Sequence, residues 1–328
     1  MARARTETHL ARRFAADDDA QHDDAQHDGT EADGVEADGT TPVDRGRAPE
    51  SVLVEEPLEL RVDGVTVATT MRTPGHDYEL AAGWCHAEGL LDGATLRGIR
   101  YCATGSAVDT GFNVVTVDTA GRAAPPEPRL TSTTSSCGIC GTESIDELTD
   151  RLAPLLAGPP LRHDVIGGLS EAVASHQELF ALTGGSHAAS AITADGEVLV
   201  VREDIGRHNA VDKVVGRLLL DDRLPATGMV LWVSGRASFE MVQKAWAAGF
   251  AGLVSVSAPS SLAVRTADRA GLVLVGFARA GRFTVYAGTD RVVAGPADPA
   301  RTASPDAEVR MAARDVAVHP YISGGADG

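Results

Sequence analysis

MVLWVSGRASFEMVQKAWAAGFAGLVSVSA, residues 229–258, holds a strand, a helix and a second strand in succession. MVLWV (229–233) is a short, continuous apolar run ended by Ser-Gly, the pattern of a strand buried on both faces. Met241, Val242, Ala245 and Trp246 then recur at helical spacing and form one inward stripe. GLVSVSA (252–258) returns as a strand. The alternation continues with a helix in SLAVRTADRAG (261–271), a strand in LVLVGFA (272–278) and a closing strand in FTVYAG (283–288). HNAVDKVVGRLLL (208–220), just upstream, carries Val211, Val214, Val215, Leu218 and Leu219 on one helical face. Repeated strand–helix–strand units imply an α/β fold, a mostly parallel sheet with helices packed on its faces.

Working outward, Ala194-Asp195-Gly196 is a hairpin signature between two apolar runs, and Asp63-Gly64 marks another inside VLVEEPLELRVDGVTVATTMRTP (52–74). HDYELAAGWCHAEGLL (76–91) has helical spacing at Leu80, Trp84, Ala87 and Leu91, with Asp77 expected as its cap and Cys85 expected in the core. FNVVTVD (112–118) reads as a strand, and APPEP (124–128) breaks the pattern. SIDELTDRLAPLL (144–156) reads as an amphipathic helix, and another follows near SEAVASHQELFAL (170–182). The expected organisation is a disordered acidic tail over 1–50, a small N-terminal α/β unit over 51–130 and a mobile loop over 131–142. A larger α/β domain over 143–290 and a loose tail over 291–328 complete it.

Composition narrows the function. The chain has 328 residues, is 43% hydrophobic and carries a formal net charge of −17, enough for a core but without the basic footprint of a general nucleic-acid binder. No apolar stretch approaches ~18 residues, so no membrane-spanning helix is expected. Arg12-Arg13-Phe14 is followed by Asp17, Asp18 and Asp19 where a signal peptide needs an apolar run, so a cytoplasmic location is expected. Four cysteines in a chain of this length are no disulfide framework and fit a reducing compartment. Almost every base is arginine; the two lysines, Lys213 and Lys244, suggest positions that require a compact ammonium.

Chemistry is expected at the carboxyl ends of the parallel strands. Three loops lie there: Ser234-Gly235-Arg236, Ser257-Ala258-Pro259 and Ala278-Arg279-Ala280-Gly281-Arg282. Arg236, Arg279 and Arg282 would form a local positive cluster suited to phosphate, with glycines that admit a ligand to the backbone. VREDIGRHNA (201–210) groups Glu203, Asp204, Arg207, His208 and Asn209; capping accounts for Asp204 and Asn209, and Arg207-His208 point to a site. His187 reads equally well as a satisfied buried histidine and receives no role.

Cys137-Gly-Ile-Cys140 lies in the Ser/Thr/Gly-rich TSTTSSCGICGTES (131–144). Thioredoxin-type pairs sit between a strand and a helix, and a four-cysteine zinc site needs a second close pair, which Cys85 and Cys102 do not form. A carrier thiol on a swinging loop suits these residues better.

SSCGICG (135–141), VREDIGRHNAVDKVVG (201–216), VSGRASFEMVQKAWAAG (233–249), VSVSAPSSLAV (254–264) and GFARAGRFTVY (276–286), in this order over roughly residues 52–290, resemble the formate dehydrogenase accessory sulfurtransferase family. The resemblance implies a sulfur carrier that accepts persulfide sulfur from a cysteine desulfurase. It would pass that sulfur to the bis(molybdopterin guanine dinucleotide) molybdenum cofactor, carried as cargo, before insertion into formate dehydrogenase. It implies that Cys137 bears the persulfide, that Cys140 is its partner, and that Phe277, Ala278, Arg279, Ala280, Gly281 and Arg282 match the cofactor-binding segment. It also implies a homodimer and a cytidine-deaminase-like fold for the larger domain. His208-Asn209-Ala210 and Ser234-Gly235-Arg236 stand where deaminases carry their zinc ligands and glutamate, which excludes deaminase chemistry and a bound metal there. The alternative is a non-catalytic chaperone that shields the molybdenum cofactor.

Overall fold

The structure is a computed structural model that describes residues 3–15, 43–91, 94–102, 106–123, 152–156 and 158–295. Strands β1 (Thr6–Ala15) and β2 (Val43–Leu53) pair antiparallel into a two-stranded ribbon. Residues 6–15 and 43–50 of the expected disordered tail are therefore ordered strand. The acidic repeats that suggested disorder lie between the two strands, outside the described residues. Cross-strand ion pairs Arg12–Asp44 and Arg13–Glu50 hold the ribbon, and Arg3 ties it to Asn113 and Glu56 of the body.

β3 (Glu56–Val62) and β4 (Val65–Arg72) form the expected hairpin, with Asp63 and Gly64 both at positive φ, as the tight turn requires. Helix α1 (Asp77–Ala87) follows, then β5 (Gly98–Tyr101) and β6 (Val114–Asp118), giving a four-stranded sheet ordered β4-β3-β6-β5. Leu80, Ala81 and Cys85 of α1 pack on Leu58, Leu60, Val62, Val115 and Val117. Asp77 does not cap α1. It is the first helical residue, and its carboxylate takes two hydrogen bonds from the fully buried Arg72 at 3.0 and 2.9 Å. A buried guanidinium demands a paired charge, and that demand outweighs capping.

The remaining elements are β7 (Leu161–Arg162), α2 (His163–Ala174), α3 (Glu178–Thr183), β8 (His187–Thr193), β9 (Val198–Asp204), α4 (Arg207–Leu220), β10 (Met229–Val233), α5 (Phe239–Ala247), β11 (Gly252–Ser255), α6 (Ser261–Ala270), β12 (Val273–Arg279), β13 (Arg282–Ala287) and β14 (Val292–Val293). Six of these strands make one sheet ordered β13-β12-β11-β10-β8-β9. The sheet is mixed, which corrects the expectation of a mostly parallel one. β10, β11 and β12 are parallel neighbours, whereas β8 runs antiparallel to both β10 and β9, and β13 runs antiparallel to β12. The helical crossovers through α5 and α6 force the parallel pairs, and the two hairpins force antiparallel ones.

Period-two alternation divides the core. Leu231 and Val233 face α4, α5 and α6, while Val230 and Trp232 face Ile166, Leu169 and Val173 of α2. Burying each such side chain contributes about 1.5–3 kcal/mol. Leu152 and Leu155 pack on the first of these cores, but residues 152–156 are not helical as expected: Pro154 interrupts the pattern, and Leu155 donates its N–H to Ala270 O at 2.9 Å. The residues before Leu152 in that expected helix lie outside the described residues. At the far end, β14 pairs with β7, so the body runs past residue 291 into the stretch expected to be loose. α1 packs against α4 and joins the small sheet to the large one.

Both lysines are buried. Lys213 Nζ lies 2.7 Å from Asp204 and 3.0 Å from Thr73 O, and Lys244 Nζ lies 2.6 Å from Asp212. The compact ammonium fits between helices and backbone where a guanidinium fork would not. Among the described residues no helix is long and apolar enough to cross a membrane.

Candidate functional site

Strand directions decide which loops meet. β9 is antiparallel to β8, and β8 to β10, so β9 runs with β10, β11 and β12. The carboxyl ends of these four strands therefore share one sheet edge, together with the first residues of β8 and β13. Helices α4, α5 and α6 all start there and turn their N–H groups and positive dipole ends toward it.

Backbone bonds stitch the loops together. Ala237 donates to Ala258 O at 3.2 Å, Ser260 to Ala237 O at 3.0 Å and Phe277 to Ser257 O at 3.2 Å. The Ser255 hydroxyl lies 2.6 Å from Gly235 O and 3.0 Å from Ser257 O. The three loops picked out in the sequence are thus adjacent in space.

The tip of β12 and β13 is the most exposed part of this edge. Arg279 and Arg282 are direct cross-strand partners around a two-residue turn, in which Ala280 (φ 49°) and Gly281 (φ 71°) both have positive φ. Opposed residues in an antiparallel pair project to the same side, so both exposed guanidinium groups stand side by side. Neither has a carboxylate partner among the described residues. Ala278 is buried, its carbonyl bonded to the Ser170 hydroxyl, and Ala280 donates its N–H to Glu171 at 3.1 Å, so α2 supports the turn from behind. Phe277 is 43% exposed and also holds a positive φ of 54°. An exposed aromatic in a strained conformation next to paired arginines offers a flat apolar face beside a cationic one.

At the other end of the edge, Asp204 is fully buried and accepts from Gly206 N, Asn209, Thr73 N and Lys213. Glu203 accepts from Leu179 N and Phe180 N at the start of α3 and from Ser186. Asp204, Glu203 and Asn209 are structural. Arg207 and His208, which the sequence pointed to as site residues, do reach the edge. His208 pairs with Glu240 of α5, and this hydrogen bond holds the Glu240 carboxyl below the usual carboxylate range. His187, given no role from the sequence, stands beside Ser234 and Gly235; burial, then the nearby Arg207 and His208 charges, push its pKa down. His187 and Glu240 had no sequence signal, because each becomes a neighbour only through the β8–β10 pairing and the α4–α5 contact.

Cys137 and Cys140 lie outside the described residues. Cys85 and Cys102 are both buried, and burial followed by the charges of Asp212 and Glu88 pushes the Cys85 thiol up to about 12. Among the described residues no group of three or more His, Cys, Asp or Glu could hold a metal ion.

Fold and edge together define a class: mixed α/β proteins in which a six-stranded sheet presents arginine-bearing loops and three helix N-termini along one margin. The chain belongs to the FdhD/NarQ family, whose model matches residues 53–293. It is 49% identical over 253 residues to the sulfur carrier protein FdhD of Streptomyces coelicolor, covering 74% of this chain and 89% of that one. It is 46% identical over 259 residues to the sulfur carrier protein FdhD of Mycobacterium tuberculosis, covering 74% and 92%. A crystal structure of a candidate formate dehydrogenase accessory protein from Desulfotalea psychrophila shares the fold, with a TM-score of 0.61 at 22% identity over 87% of this chain and 99% of that one.

Proposed function

We propose that this chain is a sulfur carrier that serves formate dehydrogenase, as the names of its relatives imply, and that it acts as a sulfurtransferase through a cysteine persulfide. The Cys137 thiolate attacks the outer sulfur of a cysteine desulfurase persulfide; a new S–S bond forms on Cys137, and the desulfurase leaves as its thiolate. Cys140, three residues on, is the partner thiol: its attack on the inner sulfur would form a Cys137–Cys140 disulfide and release the outer sulfur as hydrosulfide. The sulfur's destination is the bis(molybdopterin guanine dinucleotide) molybdenum cofactor, bound as cargo at Phe277–Arg282.

The observation that carries the cargo assignment is the Arg279–Arg282 pair. Like charges directly opposed across a hairpin destabilise it, so the arrangement fits a doubly anionic ligand such as a diphosphate. Burial of Cys85 and Cys102 supports the assignment of the reactive thiol to the Cys137–Cys140 pair. A cytidine-deaminase-like arrangement of the larger sheet, a homodimer and a cytoplasmic location belong to the same reading.

The test is mass spectrometry after incubation with a cysteine desulfurase and cysteine. An adduct of ~32 Da, the mass of one sulfur, is expected on Cys137 and is removed by reductant. If Cys137→Ala protein still matures formate dehydrogenase, sulfur transfer fails and the non-catalytic chaperone takes its place.

A further inference from the structure

A polar cleft opens on the outer side of β9, the edge strand of the large sheet, where the base of the N-terminal ribbon meets α1 and α3. Its volume is about 190 Å³, and its walls include Arg5, His76, His176, Glu178, Arg202 and Glu203. At ~15 Å³ for each water it has room for about a dozen, and hence for a small organic ion.

Two of these walls have no bonding capacity to spare. Arg202 gives two hydrogen bonds to Glu79, at 2.5 and 2.9 Å, and a third to Val201 O at 2.8 Å. Glu203 accepts from Leu179 N, Phe180 N and the Ser186 hydroxyl. What is left over carries both signs. Arg5 is held in place: its carbonyl accepts the Val54 N–H at 3.0 Å, and its stem lies over Gly75, where a methyl would come within 3.6 Å of Nε. That Nε is buried and has no partner among the described residues. Glu178 is exposed and meets no cation among the described residues. Arg5 and Glu178 thus line one cleft without pairing with each other.

His76 completes the inventory. Its backbone is left-handed, with φ 57°, a strained conformation of the kind kept at ligand clamps. Its Nδ1 faces the Glu79 carboxylate at 3.4 Å; a carboxylate only accepts, so Nδ1 carries the hydrogen and the neutral ring leaves Nε2 as an acceptor. An ammonium brings three donors, and a carboxylate brings acceptors alone. A simple anion would leave Glu178 unpaired, and a simple cation would leave Arg5 unpaired. A molecule with both charges satisfies every group the protein leaves over.

We infer that this cleft binds a small zwitterion, a free α-amino acid, with its carboxylate on Arg5 and its ammonium on Glu178 and His76. Arg5 lies outside the residues matched by the family model, 53–293, so the site is additional to the chemistry the family shares. Occupancy joins the ribbon, α1 and α3, and fastens the base of the ribbon to the body.

The test is calorimetric titration of the full chain with glycine, L-alanine, L-serine and L-cysteine, and with propionate and ethylamine as half-ligands. At least one amino acid is expected to bind with a Kd of about 1 mM or tighter, and each half-ligand at least about tenfold more weakly. Arg5→Gln and Glu178→Gln should each weaken the amino acid about tenfold, the loss of one charge-assisted hydrogen bond. Far-UV circular dichroism matching the parent shows that the variants fold; the exposed Glu178 side chain has no bond among the described residues to lose. Propionate or ethylamine binding as tightly as the amino acid overturns the zwitterion reading. Amino-acid affinity unchanged in both variants overturns the site, as does the parent's failure to bind any of the four.

Discussion

Gly83 of α1 and Gly216 of α4 meet backbone to backbone. A methyl on Gly83 would come within 1.9 Å of Asp212 O, and one on Gly216 within 1.8 Å of Glu79 O. Each helix thus uses the other's missing side chain, and the small sheet is fastened to the large one at a point that admits no added carbon. Gly83→Ala or Gly216→Ala must push the helices apart; a loss of about 3 kcal/mol is expected in urea unfolding, against a gain of about 1 kcal/mol for Gly→Ala on an open helix face. Equal stability of either variant and the parent would show that the contact is loose.

The Lys213–Asp204 pair makes a second prediction. Both side chains are fully buried, and the ammonium also meets Thr73 O and Glu203 O, linking β9, α4 and the end of the β4 hairpin. Lys213→Met leaves a buried carboxylate unpaired and should cost about 3–5 kcal/mol. Lys213→Arg keeps the charge but not the volume and should also lower Tm, which thermal unfolding measures.

Acid should weaken the fold through Glu79. Burial alone would raise its pKa, but hydrogen bonds from Arg202 and His76 hold it down at about 2. A carboxyl lowered on folding stabilises the protein above its unfolded value, near 4.5, and that contribution disappears as pH falls from there toward about 2. Unfolding free energy should therefore drop below about pH 4.5, and the Glu79→Gln variant should show a smaller drop over the same window.

Thiol accessibility separates the four cysteines. With Cys137 and Cys140 both changed to Ala, a thiol reagent at neutral pH should titrate almost nothing in the native protein and two thiols in denaturant, because Cys85 and Cys102 are 0% and 6% exposed. Rapid native labelling of either would place a second reactive sulfur in the chain.

Much of the large sheet was legible because its strands and helices have clean periods: Val211, Val214 and Val215 on α4, and Met241, Val242 and Trp246 on α5, are buried as their spacing requires. Direction was not legible. Whether β8 runs with or against β10 depends on the hairpin at Asp195-Gly196 and on which strand inserts between neighbours, and no local pattern encodes that insertion. The paired arginines at the β12–β13 tip could be read from the sequence, since turn and charge lie within six residues. The His187–Gly235–Arg207 convergence could not, because its members come from three elements joined only by tertiary pairing. The N-terminal ribbon was missed for a different reason: composition averaged over fifty residues hid two strands under the acidic repeats between them.

The seclusion of Lys213 and Lys244 has a practical side. With both ε-amines sealed in ion pairs, amine-directed esters meet almost no lysine side chain on the folded protein. Lysine acylation therefore reports unfolding, since both targets emerge only as the core opens.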